Sequence, residues 1–184
     1  TIFEKAISSG HDYDAQIRAL ARGGAKPLEA YKAIVTDDIR AAADVLRPVY
    51  DASRGDDGYV SLEVDPDLAR DTKATMVRAW ELFDAVGRPN VMIKIPGTME
   101  GLPAVEEMIA SGIPVNVTLI FSVKRYEAVA EAYIRGLERL LDGGGDPGRP
   151  GADRIAGCRD TRHRQGAAGP RGVHEDPPEV STRP

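Results

Sequence analysis

Lys94 stands inside an apolar run, Val91-Met92-Ile93-Lys94-Ile95, which Pro96-Gly97 ends sharply. A lysine in such a run is almost never fully buried unless it is paired or used. Burial disfavours the charged form of an amine, and a neutral amine attacks carbonyls, the first step of Schiff-base chemistry. A lysine near a strand end also snorkels to water or pairs with a carboxylate, and on this residue alone that reading stands beside the reactive one. Two other stretches supply partners. Residues 59–64 alternate strictly, with Val60, Leu62 and Val64 on one side and Tyr59, Ser61 and Glu63 on the other. Residues 113–121 set Val115, Val117 and Leu119 against Asn116 and Thr118. If the three apolar sides share a layer, then Glu63, Ser61, Lys94, Asn116 and Thr118 share the opposite one. A carboxylate beside an amine can relay protons.

The elements that must position these residues follow from periodicity and punctuation. A short helix is expected over 1–9, closed by Gly10, and another over 12–22, closed by Gly23-Gly24. Pro27 opens a third. Thr36, followed by Asp37 and Asp38, reads as the N-cap of a fourth that runs to about Arg47, before Pro48. Helices over 67–86, 102–110 and 123–141 then separate and follow the strands at 59–64, 91–95 and 113–121. Trp80 counts among the apolar positions of the first of these. Strand–helix alternation of this kind calls for a parallel α/β sheet with right-handed crossovers. The fold expected is an incomplete (β/α)8 TIM-type barrel, with Ser61, Glu63, Lys94, Asn116 and Thr118 facing its interior near the C-terminal strand ends, where barrel enzymes keep their chemistry. Polar interior layers also occur as hydrogen-bonded filler.

The chain has 184 residues, 42% of them apolar, and a net charge of −5. That is enough for one domain with a real core. The acidic balance argues against a nucleic-acid partner, whose phosphates need a basic surface. One cysteine, Cys158, leaves no disulfide within the chain. No apolar run approaches a membrane span, and the N-terminus lacks the pattern of a signal peptide, so a cytoplasmic protein is expected. From Asp142 the composition changes to Gly, Pro and Arg, without Lys, Phe, Trp or Tyr. The chain is therefore divided into a partial barrel domain, 1–141, and an irregular tail, 142–184, with too little apolar surface to fold. A change of reading frame in a GC-rich gene yields such a composition. His163, His174, Cys158 and the tail arginines have no partner pattern, and His11 reads as surface.

Across residues 1 to about 141 the sequence resembles bacterial transaldolases. The motifs are Ser61-Leu62-Glu63-Val64-Asp65, then Ile93-Lys94-Ile95-Pro96-Gly97-Thr98 with Glu100-Gly101, then Asn116-Val117-Thr118-Leu119-Ile120-Phe121-Ser122. Each alone is weak; in this order and spacing they are specific. The resemblance implies that Lys94 forms a Schiff base with a ketose phosphate. It implies that Glu63 and Thr118 position a water for proton transfer, and that Asn116 hydrogen-bonds the bound donor; Ser61 is taken as a second substrate-binding residue. It implies sugar phosphates as partners, no cofactor and no metal, since the protonated imine is itself the electron sink. The family's acid/base aspartate would precede Thr1, and its phosphate-binding residues would fall where this chain has its tail. Thr1-Ile2-Phe3 resembles the residues after the family's Asn-Pro segment, so a preceding segment is expected. Two other readings stand beside this one: a Schiff-base sugar-phosphate aldolase without the transfer step, and a truncated product with no stable fold.

Overall fold

The computed structural model describes residues 2–147 and 155–156. Helix α1 (Ile2–Ser9) and helix α2 (Asp14–Arg22) precede helix α3 (Pro27–Ala52). Strand β1 (Val60–Glu63), a 3-10 turn (Pro66–Leu68) and helix α4 (Thr72–Val86) come next. Then come strand β2 (Val91–Pro96), helix α5 (Leu102–Ala110), strand β3 (Val115–Thr118), helix α6 (Val123–Asp142) and strand β4 (Ile155–Ala156). The four strands form one parallel sheet in the order β1-β2-β3-β4.

The core lies between the sheet and its helices. Leu62, Val64, Val91, Ile93, Ile95, Val115 and Val117 pack against Ala79, Leu82 and Val86 of α4, Val105, Met108 and Ile109 of α5, and Val129 and Ala132 of α6. Burying each large side chain contributes about 1.5–3 kcal/mol. The alternation read from the sequence therefore holds: the apolar side of each strand faces the helices, and the polar side faces away. Helices α5 and α6 approach closely at Gly136, where a Cβ would stand 2.8 Å from both the Glu106 carbonyl oxygen and the Ile109 Cβ. Trp80 lies on the outer side of α4 and is 39% exposed, so it is not part of that core.

Four expectations change. Residues 27–52 form one helix, running through both Thr36 and Pro48. Its start is fixed upstream, where Pro27 opens the first turn and the Glu29 carboxylate accepts the Lys26 backbone N–H at 2.8 Å. The buried residues Ile34, Val35, Ile39, Ala43 and Tyr50 continue past both signals, so packing outweighs the roughly 3 kcal/mol that an interior proline costs. Helix α4 begins at Thr72 rather than at 67, with the Asp71 side chain accepting the Ala74 N–H at 3.0 Å. Strand β3 ends at Thr118, and Leu119 leaves the apolar side of the strand altogether, with φ of 62°. The sheet does not stop at three strands. Ile155 and Ala156 pair with Val115 and Asn116, inside the segment read as a tail, where two residues are too few to show a period. The rest of that tail, with Cys158, His163, His174 and its arginines, lies outside the described residues.

Charged side chains fasten the helical layer. Arg40 of α3 donates to the Ala85 carbonyl at 2.7 Å and the Val86 carbonyl at 3.3 Å, so it caps the C-terminus of α4. Arg88 donates to Asp44 across the same joint, its Nη2 at 2.9 Å. Glu106 of α5 accepts from Arg135 at 2.8 Å and Arg139 at 3.3 Å of α6. The Arg135 hydrogen bond, followed by its charge and the bond from Arg139, holds the Glu106 carboxyl below its ordinary range. A depressed carboxyl stabilises the fold above its unfolded-state value, and that contribution is lost as pH falls through the folded value. Glu106→Gln is therefore expected to lower the thermal midpoint near neutrality and to flatten its fall on acidification, read as midpoint against pH.

Candidate active site

Parallel register puts the polar residues at one level. Glu63 pairs with Lys94, and Lys94 with Asn116. All three occupy the inner face, away from the helices. The Lys94 Nζ lies 3.4 Å from the Glu63 Oε2. Lys94 is 31% and Glu63 48% exposed at the side chain, so the amine is paired and half-open rather than deeply buried. At that exposure the pair contributes at most about 1 kcal/mol to stability, and its value is chemical rather than structural. The Asn116 Nδ2 donates to the Ser61 Oγ at 3.1 Å, reaching across β2. Thr118 sits one level further along, opposite Pro96. Its Oγ1 is buried and has no hydrogen-bond partner among the described residues. Such an orphan calls for an explanation.

The structure thus brings Lys94 to Glu63 and Asn116 to Ser61, and sets Thr118 one level beyond them on the same side of the sheet. It also shows what holds them. The loop after β2 ties to both neighbours: the Gly97 N–H donates to the Thr118 carbonyl at 2.7 Å, and the Thr98 hydroxyl donates to the Ala69 carbonyl at 2.7 Å. The Thr98 Oγ1 also accepts the Gly101 N–H at 3.0 Å, and the Thr72 hydroxyl donates to the Glu100 carbonyl. At the other end of β2, fully buried Asn90 donates to the Ala43 carbonyl at 2.8 Å and the Gly58 carbonyl at 2.9 Å. Asn90 carried a signal, a polar residue at the mouth of an apolar strand. Thr98 carried none, because its partner Ala69 is distant in sequence. Asp65 follows Glu63 in the alternation, yet it turns to α4 and accepts from Arg78 at 2.7 Å. His11 is on the surface, 3.5 Å from Asp14.

An amine, a carboxylate 3.4 Å away, an amide and an unpaired hydroxyl form a set suited to carbonyl chemistry. The amine can add to a carbonyl, the carboxylate can take and return the protons of carbinolamine formation and dehydration, and the amide and hydroxyl can hold oxygens of the same molecule. Among the described residues, no group of three His, Cys, Asp or Glu side chains could hold a metal ion. Nor is any helix among them long and apolar enough to cross a membrane.

The family model described as Transaldolase/Fructose-6-phosphate aldolase matches residues 1–156. The match thus runs past Leu141 and takes in β4. The chain is 57% identical over 146 residues to a transaldolase of Thermobifida fusca, covering 79% of this chain and 40% of that protein. It is 56% identical over 146 residues to transaldolase 1 of Streptomyces avermitilis, covering 79% and 39%. It is 54% identical over 148 residues to transaldolase 2 of Nostoc punctiforme, covering 80% and 39%. The chain spans about 40% of the length of these relatives. Its parallel strands, with the helical layer on one side and the polar residues on the other, are part of a (β/α) barrel. The chain belongs to the transaldolase/fructose-6-phosphate aldolase family.

Proposed function

We propose that this chain carries the Schiff-base centre of a transaldolase, a transferase of the pentose phosphate pathway. It moves a dihydroxyacetone unit from a ketose phosphate, sedoheptulose 7-phosphate or fructose 6-phosphate, to an aldose phosphate, glyceraldehyde 3-phosphate or erythrose 4-phosphate. The observation that carries the reading is the Lys94 Nζ held 3.4 Å from Glu63, level with Asn116. Lys94 adds to the ketose carbonyl, and loss of water gives the imine. Cleavage of the bond beyond the adjacent carbon releases the first aldehyde and leaves a three-carbon carbanion delocalised into the protonated imine. That carbanion adds to the acceptor aldehyde. Water then returns to hydrolyse the imine and free Lys94, so the water lost at the start is regained. Glu63 and Thr118 hold the water of these proton transfers, and Asn116, with Ser61 behind it, hydrogen-bonds the donor. Sugar phosphates are charged and retained by cells, so the reaction belongs to the cytoplasm.

The alternative is aldol cleavage without transfer, as the second half of the family's description allows. The relatives are called transaldolases, which favours transfer. Dependence of turnover on an added aldose phosphate separates the two.

The deciding experiment incubates the chain with fructose 6-phosphate and borohydride and maps the product by peptide mass spectrometry. A reduced three-carbon adduct on Lys94 is expected; an adduct elsewhere, or none, overturns the reading. Glu63→Gln removes the proton acceptor and keeps the shape. It should cut turnover by about 10²–10⁴-fold, while the adduct on Lys94 forms more slowly but still accumulates. Complete loss of the adduct would show that no water replaces Glu63 in imine formation.

A further inference from the structure

Leu119 adopts φ of 62°, a left-handed conformation that bulky L side chains rarely take. Such strain persists only where the surroundings over-determine it, and it clusters where function requires it. The Leu119 side chain is not what requires it. Leu119 is 52% exposed and Phe121, two residues on, is 87% exposed, so neither is drawn in by burial. The residue just before it is a different matter. The Thr118 carbonyl is gripped by the Gly97 N–H at 2.7 Å. There is little slack at that contact, since a Cβ on Gly97 would stand 3.0 Å from the same oxygen. The Thr118 Oγ1 is buried and unpartnered among the described residues, one level beyond Lys94. Just downstream the chain is pinned again, where the Ser122 Oγ accepts the Arg125 N–H at 3.1 Å and starts α6.

We propose that Leu119 is a positioning residue: its left-handed backbone locks the peptide after Thr118 so that Thr118 keeps its place on the inner face, one level beyond Lys94. The proposal rests on the reading of Lys94 and Thr118 given above. It assigns the role to the backbone of Leu119 and none to its side chain. A competing use of the same turn is to return Ile120 to the core, against which it packs. That use would show in stability alone.

The test exploits two replacements whose chemistry and backbone preference point in opposite directions. Leu119→Val stays apolar but is β-branched and hostile to a positive φ. Leu119→Asn is polar yet tolerates it. With fructose 6-phosphate and borohydride, well below each variant's thermal midpoint, Leu119→Asn should form the Lys94 adduct within about threefold of the unsubstituted chain. Leu119→Val should be slower by about tenfold or more, in line with what small misplacements cost. Equal rates for Leu119→Val and the unsubstituted chain, or an equal loss in Leu119→Asn, overturn the proposal. If the unsubstituted chain forms no adduct, the Schiff-base reading fails, and hydrogen exchange at the Gly97 amide then decides. Faster exchange in Leu119→Val than in the other two supports the lock, and equal exchange in all three overturns it.

Discussion

Lys94→Arg is expected to leave no three-carbon adduct and no turnover above background. Arginine stays charged in proteins and its guanidinium does not condense to an imine under these conditions, so the variant removes the reaction while keeping the cation. The fold should survive. Lys94 is partly exposed and meets Glu63 at 3.4 Å, and an arginine can keep that ion pair. Unchanged circular dichroism and a thermal midpoint within a few degrees are therefore part of the expectation. Lys73 on α4 supplies the control. It is exposed on the helical layer, and Lys73→Arg should trap like the unsubstituted chain. Turnover by Lys94→Arg, or an equal loss in Lys73→Arg, would take Lys94 out of the nucleophile's role.

Gly101→Ala is expected to be the most damaging small substitution near the site. A Cβ there would stand 2.1 Å from the Pro96 carbonyl oxygen and 3.0 Å from the Thr98 Oγ1. The first is backbone at the end of β2 and cannot rotate away. Gly101 has φ of −76° and ψ of −26°, which alanine adopts freely, so the penalty is purely steric. Overpacking in a tight site costs about 1–3 kcal/mol and occasionally more, and a clash this close belongs at or beyond the upper end. Relief requires the loop to lift away from Pro96, which would also break the Thr98 hydroxyl contacts to Gly101 and Ala69. Urea denaturation should show the stability loss, and the Lys94 adduct should form more slowly even where the protein remains folded. Gly112→Ala is the comparison. Its φ is 72° with nothing within 4 Å of a Cβ, so about 1 kcal/mol of backbone strain and no effect on trapping are expected. A Gly101→Ala variant as stable as Gly112→Ala would mean that the loop yields easily.

The inner face was legible because a strand has a period of two. Given Val60, Leu62 and Val64 as the covered side, Ser61 and Glu63 had to be on the other, and the same logic placed Lys94, Asn116 and Thr118. Equal level across strands was not legible, because register depends on where each helix returns the chain. Local signals misled where long-range packing opposed them. Thr36 and Pro48 both read as helix boundaries, and the buried stripe from Ile34 to Tyr50 overrode them. The apolar Leu119 extended the pattern of β3 on paper, but its backbone turns it out of the strand. The contacts of Thr98 and Gly101 join residues far apart in sequence or pressed against a carbonyl, and no periodicity announces them. Two-residue β4 falls below the length at which a pattern exists.

Trp80 gives the chain an optical property of its own. It is the sole tryptophan, and it sits on the outer side of α4, with the sheet between it and Lys94. Its emission will change when the helical layer comes apart, but it is screened from events on the inner face. Fluorescence can therefore track unfolding in the presence of any sugar phosphate without registering occupancy directly. A ligand that binds only the folded chain must then reveal itself as a displaced unfolding midpoint, which makes this one indole a silent observer against which candidate donors and acceptors can be ranked.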